Sequence, residues 1–169
     1  MAADFTDIFD ACRKGDRETV EALYNQNPEI IHVEDFKGYT PLIIAVYNNQ
    51  PSVVEFLLAK GARTEMHDHT GNTALMGVCF RGYKEIVSML IDAGADINQR
   101  NNQGATALTF AATFGNLEIA EMLLERGADI KARDVRGKSP LDHAVIQEND
   151  TMIALLQQYS TDEAPDESL

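Results

Sequence analysis

Residues 101–133 read NNQGATALTFAATFGNLEIAEMLLERGADIKAR, and the key positions of this stretch recur along the chain at a fixed interval. A spacing of 33 residues relates three sets of positions: Gly38, Gly71, Gly104 and Gly137; Thr40, Thr73, Thr106 and Ser139; and Leu42, Leu75, Leu108 and Leu141. A period of roughly 20 to 50 residues is typical of a solenoid, in which each unit packs against its neighbours. The sequence therefore predicts a stack of equivalent units.

The same stretch predicts the structure of one unit. Asn101 and Gly104 are spaced as the first and fourth residues of a type I turn, where asparagine and glycine are favoured. Thr106 can cap the helix that follows. That helix is expected to end near Phe114, and a second one with an apolar stripe is expected to end before Gly127. Neither helix is long enough to be stable alone in water, so neighbouring units must cover the apolar faces.

Four short stretches resemble the Thr-Pro-Leu-His-x-Ala signature of the ankyrin repeat: residues 40–45 (TPLIIA), 73–78 (TALMGV), 106–111 (TALTFA) and 139–144 (SPLDHA). Residues 94–96 and 127–129 resemble the Gly-Ala-Asp ending of that repeat. The resemblance implies an all-α solenoid of helix-turn-helix units with short β-hairpin-like finger loops. This chain departs from the signature at the His position, which holds Ile43, Met76, Thr109 and Asp142. The hydrogen bonds that this His adds between repeats are therefore not expected here.

We predict one ankyrin-repeat domain over residues 1–160, built from about five units. Their expected bounds are 5–34, 35–67, 68–100, 101–133 and 134–159. The first and last units are expected to be capping repeats, because each is polar where no neighbour would cover it. Residues 161–169 carry four acids and a proline, and this composition predicts a disordered acidic tail.

The negative net charge of the chain disfavours some classes of binding partner. The chain has 14 basic and 27 acidic residues and a net charge of −13, which disfavours nucleic acid and anionic membrane surfaces. Its apolar runs are too short to span a bilayer, and its first residues lack the pattern of a signal peptide. Two cysteines cannot form a disulfide framework. We therefore expect a cytoplasmic protein that is monomeric on its own.

Catalysis is not expected. The sequence has no glycine-rich phosphate loop, no nucleophile elbow and no paired zinc-ligand spacing, so no catalytic residue, cofactor or metal ion is predicted. Cys12 and Cys79 are expected to be buried residues about 20 Å apart, too far for a disulfide. The His67-Asp68-His69 cluster could bind a transition metal, but the favoured interpretation is a turn aspartate between two contact residues.

The resemblance also implies where a partner would bind. Ankyrin partners usually contact the finger tips and the concave side of the first helices. The residues of this chain at those positions are rich in aromatic rings and in cations, and we call them the finger face. Its members are Phe36, Lys37, Tyr39, Tyr47, His67, His69, Asn72, Phe80, Arg81, Arg100, Asn102, Phe114, Arg133, Arg136 and Lys138.

Aromatic residues and arginine are the usual anchors of protein interfaces, so the finger face is predicted to bind another protein. An apolar anchor would lie near Tyr39, Tyr47 and Phe80, and acidic groups would lie against Arg100, Arg133 and Arg136. Two other interpretations remain open at this point. Phe80 and Phe114 could pack adjacent first helices, and the cations could form an ordinary solvated surface. The opposite side is acidic and is interpreted as solvated, at Glu55, Glu85, Asp92, Glu118, Glu121 and Glu125.

The amino-acid sequence of the repeats is similar to that of small stand-alone bacterial ankyrin proteins. That similarity implies an adaptor, an inhibitor or a cognate antagonist of a toxin or enzyme, such as an immunity protein. The alternative is an accessory protein that supports a catalase, with haem binding or transfer as one route and with His67, His69, Tyr39 and Tyr47 as candidate contacts. Eukaryotic cyclin-dependent kinase inhibitors share the size and repeat number but show no extended match, and they rank third.

Overall fold

The computed structural model describes residues 6–162, and all statements about the fold concern this range. A 3-10 helix at Pro28–His32 lies between the second and third α-helices. The α-helices, in chain order, are α1 Thr6–Lys14, α2 Arg17–Gln26, α3 Pro41–Tyr47, α4 Pro51–Ala59, α5 Ala74–Arg81, α6 Lys84–Asp92, α7 Ala107–Phe114, α8 Leu117–Glu125, α9 Pro140–Ile146 and α10 Asp150–Asp162.

The helices form two parallel layers. The first-helix layer consists of α1, α3, α5, α7 and α9, each packed against the next, and the second-helix layer consists of α2, α4, α6, α8 and α10. Buried apolar residues form one continuous core from Ile8 to Leu156 between and within the layers. Within residues 6–162 the β-structure is limited to an isolated bridge between His67 and Thr73. The predicted all-α solenoid is confirmed.

A hydroxyl cap begins every first helix after α1, as the sequence predicts. The side chains of Thr40, Thr73, Thr106 and Ser139 accept hydrogen bonds from the backbone N–H three residues later, at 3.2–3.3 Å. Such a cap satisfies one of the unpaired donors of a helix N-terminus and contributes about 1 kcal/mol. The helix of the quoted stretch ends at Phe114, and Gly115 follows in the left-handed conformation with a φ of 73°.

The finger loops are built on the predicted turns. In the loop before α5, the backbone carbonyl of Asp68 accepts from Gly71 N–H, and its side-chain oxygen accepts from Thr70 and Asn72 N–H. Asp35, Asn101 and Asp134 repeat this arrangement. One backbone hydrogen bond also joins each finger to the next: His69 to Lys37, Asn102 to Thr70 and Val135 to Gln103. The fingers therefore form a ladder that runs along the stack.

Capping boxes replace the signature His in two units. The Thr109 hydroxyl oxygen accepts a hydrogen bond from the backbone N–H of Thr106, and the Asp142 carboxylate accepts one from the backbone N–H of Ser139. In the other two units the equivalent side chains, Ile43 and Met76, are buried in the core. Each residue at this position is therefore used locally, by a cap or by packing.

One part of the chain has a structure for which the sequence analysis makes no prediction, and another part differs from the prediction. The connection after the first unit forms the 3-10 helix Pro28–His32, which begins at a proline and buries Ile30 and Ile31. Helix α10 continues to Asp162, so the first two residues of the predicted tail are helical. The rest of that tail, residues 163–169, lies outside the described range, as do residues 1–5.

Cys12 and Cys79 are both buried and unbonded, as the sequence predicts. Burial raises the pKa of both thiols, that of Cys12 to about 12, so both stay protonated at neutral pH. In the described part of the chain, no helix combines the length and the apolar character needed to cross a bilayer.

Candidate protein-binding face

The structure places the predicted finger face on the finger loops and on the first-helix layer. Three of its members are half-buried: Tyr39, Tyr47 and Asn72. The other twelve are exposed: Phe36, Lys37, His67, His69, Phe80, Arg81, Arg100, Asn102, Phe114, Arg133, Arg136 and Lys138. Most of the predicted positions are therefore available to a partner.

Phe36 is the most exposed aromatic residue of the finger face. Its residue surface is 84% exposed at the tip of the first finger loop, and the Lys37 ammonium lies 5.5 Å from the ring centroid. An ammonium at this distance is attracted by the ring face. The core does not explain the presence of Phe36.

Tyr39 directly follows the turn of the first finger loop, and its N–H donates to the side chain of the turn residue Asp35. Its half-buried ring packs on the core and on Tyr47, with 5.7 Å between the ring centroids. Tyr47 in turn lies over Gly77 of α5, where an added Cβ would come within 2.8 Å of the Tyr47 ring. Burial, with a smaller contribution from the negative charge of Asp68, raises the pKa of Tyr47 to about 12.

Phe80 and Phe114 pack against each other across adjacent units and still remain open to solvent. Their ring centroids are 4.6 Å apart in an edge-to-face arrangement, and the residues are 42% and 49% exposed. Phe110 lies beside Phe114 in a stacked arrangement at 6.3 Å. Packing of first helices and surface exposure, which the sequence presents as alternatives, therefore occur together.

Three of the arginines bond to backbone carbonyls, and two of these arginines reach a residue 33 or 34 positions away, in an adjacent unit. Arg81 donates two hydrogen bonds to the carbonyl of Tyr47, and Arg100 donates one to the carbonyl of Arg133 at 2.8 Å. Arg133 donates to the carbonyl of Gly137 within its own finger. These side chains are held in place, so their positive charges have defined positions.

In the His67-Asp68-His69 cluster, Asp68 is the turn aspartate that the sequence predicts. Asp68 is buried and serves the finger turn, and Nδ1 of His67 lies 3.0 Å from the carbonyl oxygen of Asp68. Among the described residues, no group of three or more His, Cys, Asp or Glu is arranged to hold a metal ion. The two histidines line an open cleft of about 600 Å³ with five other residues, and neither Tyr39 nor Tyr47 belongs to its lining.

A side-chain hydrogen bond between Asp134 and His143 in the last unit was missed by the sequence analysis. Asp134 Oδ2 lies 2.9 Å from Nε2 of His143, and Asp134 Oδ1 accepts from the N–H groups of Arg136 and Lys138. Burial acts to raise the pKa of Asp134, but the hydrogen bonds from Lys138, His143 and Arg136 outweigh it, and the pKa lies below its ordinary value. The signal was available, because Asp134 is the turn residue and His143 follows the signature position.

The second-helix layer carries the predicted acidic surface, and basic residues of neighbouring units pair with part of it. Arg17 contacts Glu55, Lys84 contacts Glu118 and Arg126 contacts Asp92, all at 2.8–3.1 Å. Exposed pairs of this kind contribute little to stability.

Comparison with known proteins agrees with the architecture. The family described as ankyrin repeats (3 copies) matches residues 6–68, 60–134 and 93–165. BTB/POZ domain-containing protein 3 of Schizosaccharomyces pombe (strain 972 / ATCC 24843) is 41% identical over 63 residues, which are 37% of this chain. That stretch is only 12% of the yeast protein's own length. With matches along nearly its whole length, the chain belongs to the ankyrin-repeat family.

Proposed function

We propose that this chain acts by binding another protein at the concave side of its finger loops and first helices, as an adaptor, an inhibitor or an antagonist. Ankyrin repeats are protein–protein interaction modules, which supports the general role. In this proposal the chain is a monomer in the cytoplasm until its partner binds. Binding itself is the output, and no reaction is catalysed.

The exposed rings of the finger face carry the proposal. Phe36 and Phe80 are large aromatic residues that the fold leaves open to solvent, and a basic residue follows each of them in the sequence, Lys37 and Arg81. Aromatic residues and arginine are enriched at the centres of protein interfaces, where a few of them dominate the binding energy. Their concentration on one face of a chain with a net charge of −13 supports binding there.

The proposed orientation has an apolar anchor of the partner near Tyr39, Tyr47 and Phe80. Because the two tyrosines are half-buried, they form the support for this anchor, while Phe36 and Phe80 provide exposed contact area. Carboxylates of the partner would lie against the cations of the later units, Arg100, Arg133 and Arg136. The surrounding negative charge would disfavour other orientations of an acidic partner.

The test is affinity capture from a lysate of the source organism, followed by measurement of the affinity of the captured protein. The double variant Phe36→Ala with Arg100→Ala removes one exposed ring and one cation of the finger face. We expect each substitution to weaken binding by more than about 1 kcal/mol. Tyr47→Ala is a poorer probe, because it would also remove packing from the core.

A matched control is available on the second-helix layer. Leu117→Ala with Arg126→Ala also removes one exposed apolar side chain and one arginine that makes a single ion pair. This control should bind as the wild type does. If the two double variants bind equally well, the finger face is not the binding surface.

The alternative function, support of a catalase through haem, would use the cleft that holds His67 and His69. Its volume of about 600 Å³ is in the range of small-molecule sites, which is the observation in its favour. Addition of haem should then produce a Soret band that disappears in the His67→Ala, His69→Ala double variant. An unchanged spectrum of the wild type removes this alternative.

A further inference from the structure

A groove of about 190 Å³ lies between the fourth and fifth units, and Phe114 and Arg136 of the finger face belong to its lining. The rings of Phe110 and Phe114 line it from α7, together with Thr113 of the same helix. Gln103 and Arg136 line it from the two finger loops, and His143 lines it from α9. The groove therefore combines aromatic rings of α7 with polar groups from two finger loops and two helices.

The groove is open because of one small residue. Tyr47, Phe80 and Thr113 occupy the same position in three successive units. The Tyr47 ring lies over Gly77 of the next unit, and the Phe80 ring packs on Phe114 of the next unit. Threonine carries no ring to cover the next unit, and its hydroxyl donates to the carbonyl of Thr109 at 2.7 Å.

The polar residues beside the groove are held rigidly. His143 is buried, and the side chain of Asp134, which also belongs to the groove lining, is only 5% exposed. The two side chains are paired at 2.9 Å, and two backbone N–H groups donate to the other oxygen of Asp134. Satisfied polar networks of this kind hold their members in one arrangement. The groove does not need to form when a ligand arrives.

A single cation lines the groove. The Arg136 side chain is 76% exposed, and its closest carboxylate oxygen, on Asp134, is 3.8 Å from Nη2. That distance exceeds a hydrogen bond, so the guanidinium can still make a bidentate contact with another carboxylate. Lys138, on the same finger loop, is also exposed.

The size of the groove selects the kind of occupant. Sites for cofactors and drug-sized ligands measure roughly 300–1,000 Å³. A groove of about 190 Å³ is too small for them and is suited to one large side chain. Rings prefer edge-to-face or offset contacts with other rings, and Phe110 and Phe114 offer both geometries to an incoming aromatic residue.

We propose that this groove receives one aromatic side chain from an acidic segment of the partner protein, with a neighbouring carboxylate bound by Arg136. The inference rests on the proposed function and names the chemistry of part of that interface. The opposite charges of Arg136 and of the segment select acidic sequences, and the two phenylalanine rings select the aromatic residue.

Two synthetic peptides provide the test. One has the sequence Gly-Asp-Phe-Glu-Gly and the other Gly-Lys-Phe-Lys-Gly, both with blocked ends. In a titration of the ¹⁵N-labelled full chain followed by NMR, the acidic peptide should shift the amide resonances of Gln103, Thr113, Phe114 and Arg136. The basic peptide should bind at least about tenfold more weakly. Equal binding of both peptides, no binding of either, or shifts confined to other units would overturn the proposal.

Two variants sharpen the test. Thr113→Phe places in the fourth unit the residue that the third unit has as Phe80, and it should fill the groove and remove the shifts. Arg136→Glu leaves the rings in place and should reverse the preference between the peptides. A thermal unfolding curve shows whether each variant is folded. Binding of the acidic peptide to folded Thr113→Phe with unchanged affinity would contradict the proposal.

The captured partner separates this inference from the proposed function. If the partner binds Thr113→Phe as tightly as the wild type but loses affinity for Phe36→Ala with Arg100→Ala, the groove is wrong and the binding face stands. If the partner is insensitive to Phe36 and Arg100 but sensitive to Thr113→Phe, the groove with Phe114 and Arg136 stands, and the rest of the finger face is not part of the interface.

Discussion

Gly77 lies in the middle of α5, where alanine would be the better helix former by about 1 kcal/mol. The reason for glycine is the ring of Tyr47 from the preceding unit, which occupies the space that a side chain at position 77 would need. The absence of a side chain in one unit thus allows a large ring in its neighbour. This pairing also supports Tyr39, which packs on Tyr47.

The dependence of Gly77 on Tyr47 gives a prediction in which the effect changes sign. Gly77→Ala should lower the free energy of unfolding of the wild type, because the new Cβ would lie 2.8 Å from the Tyr47 ring. In a Tyr47→Ala background, the same substitution should raise it by about 1 kcal/mol, since only the helix preference remains. Urea unfolding of the four proteins measures both effects. The same sign in both backgrounds would mean that the ring is not the cause.

The high pKa of Tyr47 predicts how stability changes in alkali. The pKa is about 12 in the folded chain against an ordinary value of 10.0, so the folded state holds the phenol proton more tightly than the unfolded state. Stability must therefore fall as the pH rises above about 10. Comparison of urea midpoints at about pH 8 and pH 11 should show a smaller loss for Tyr47→Phe than for the wild type. An equal loss would place the titrating group elsewhere.

For individual residues, the sequence predicts interactions within a few positions well and contacts with residues of other units poorly. The caps at Thr73 and Ser139 depend only on residues three positions away, and both were predictable. The place of Tyr39 was not predictable, because it depends on Tyr47 and, through it, on Gly77 of another unit. The groove beside Thr113 has the same origin, since it results from the size of one residue relative to its equivalents.

The turn between the two helices of a unit requires a left-handed residue. Gly15, Gly82 and Gly115 fill this position with φ between 73° and 82°, whereas the second unit has Asn49 and the last has Glu148, at 53° and 54°. Asparagine tolerates this conformation, but a side chain such as that of glutamate is strained there. The last unit therefore carries a backbone cost that the other units avoid.

Glu148→Gly should stabilise the chain by about 0.5 to 1 kcal/mol, because the relief of strain exceeds the added entropy of the unfolded glycine. Thermal or urea unfolding measures the gain. Glu148→Ala is the matched control, since it removes the charge and keeps the strained side chain. If alanine stabilises as much as glycine, the cause is the negative charge and not the backbone.

The helices themselves were largely predictable, and their ends less so. The period of 33 residues, the hydroxyl caps and the glycines set α7 between its observed bounds. The 3-10 helix Pro28–His32 lies where the spacing between units is irregular, so the repeat pattern had no bearing on it. The continuation of α10 to Asp162 follows helical preference into a stretch whose acidic composition indicated a tail.

On the scale of the whole molecule, the repeat pattern predicts the order of the units and the charges predict two different surfaces. The cations of Arg81, Arg100 and Arg133 are fixed by backbone carbonyls on one side, and carboxylates form ion pairs on the other. Both sets of contacts include links between adjacent units. The same contacts therefore fix the charged side chains of the surface and link adjacent units. Composition alone could not predict this.

A stack held together by nearest-neighbour contacts should lose stability unevenly, and two leucines at the same repeat position test this. Leu156 lies in the last unit and Leu90 in the middle one, and both are fully buried. Each change to alanine should cost about 2 to 5 kcal/mol locally.

Leu156→Ala should speed hydrogen exchange in α9 and α10 and leave α3 to α6 protected, because the last unit can open alone. Leu90→Ala should speed exchange throughout, since it weakens contacts on which both halves depend. If Leu156→Ala lowers protection in α3 as much as in α9, the units unfold together and stability is not a sum over neighbours.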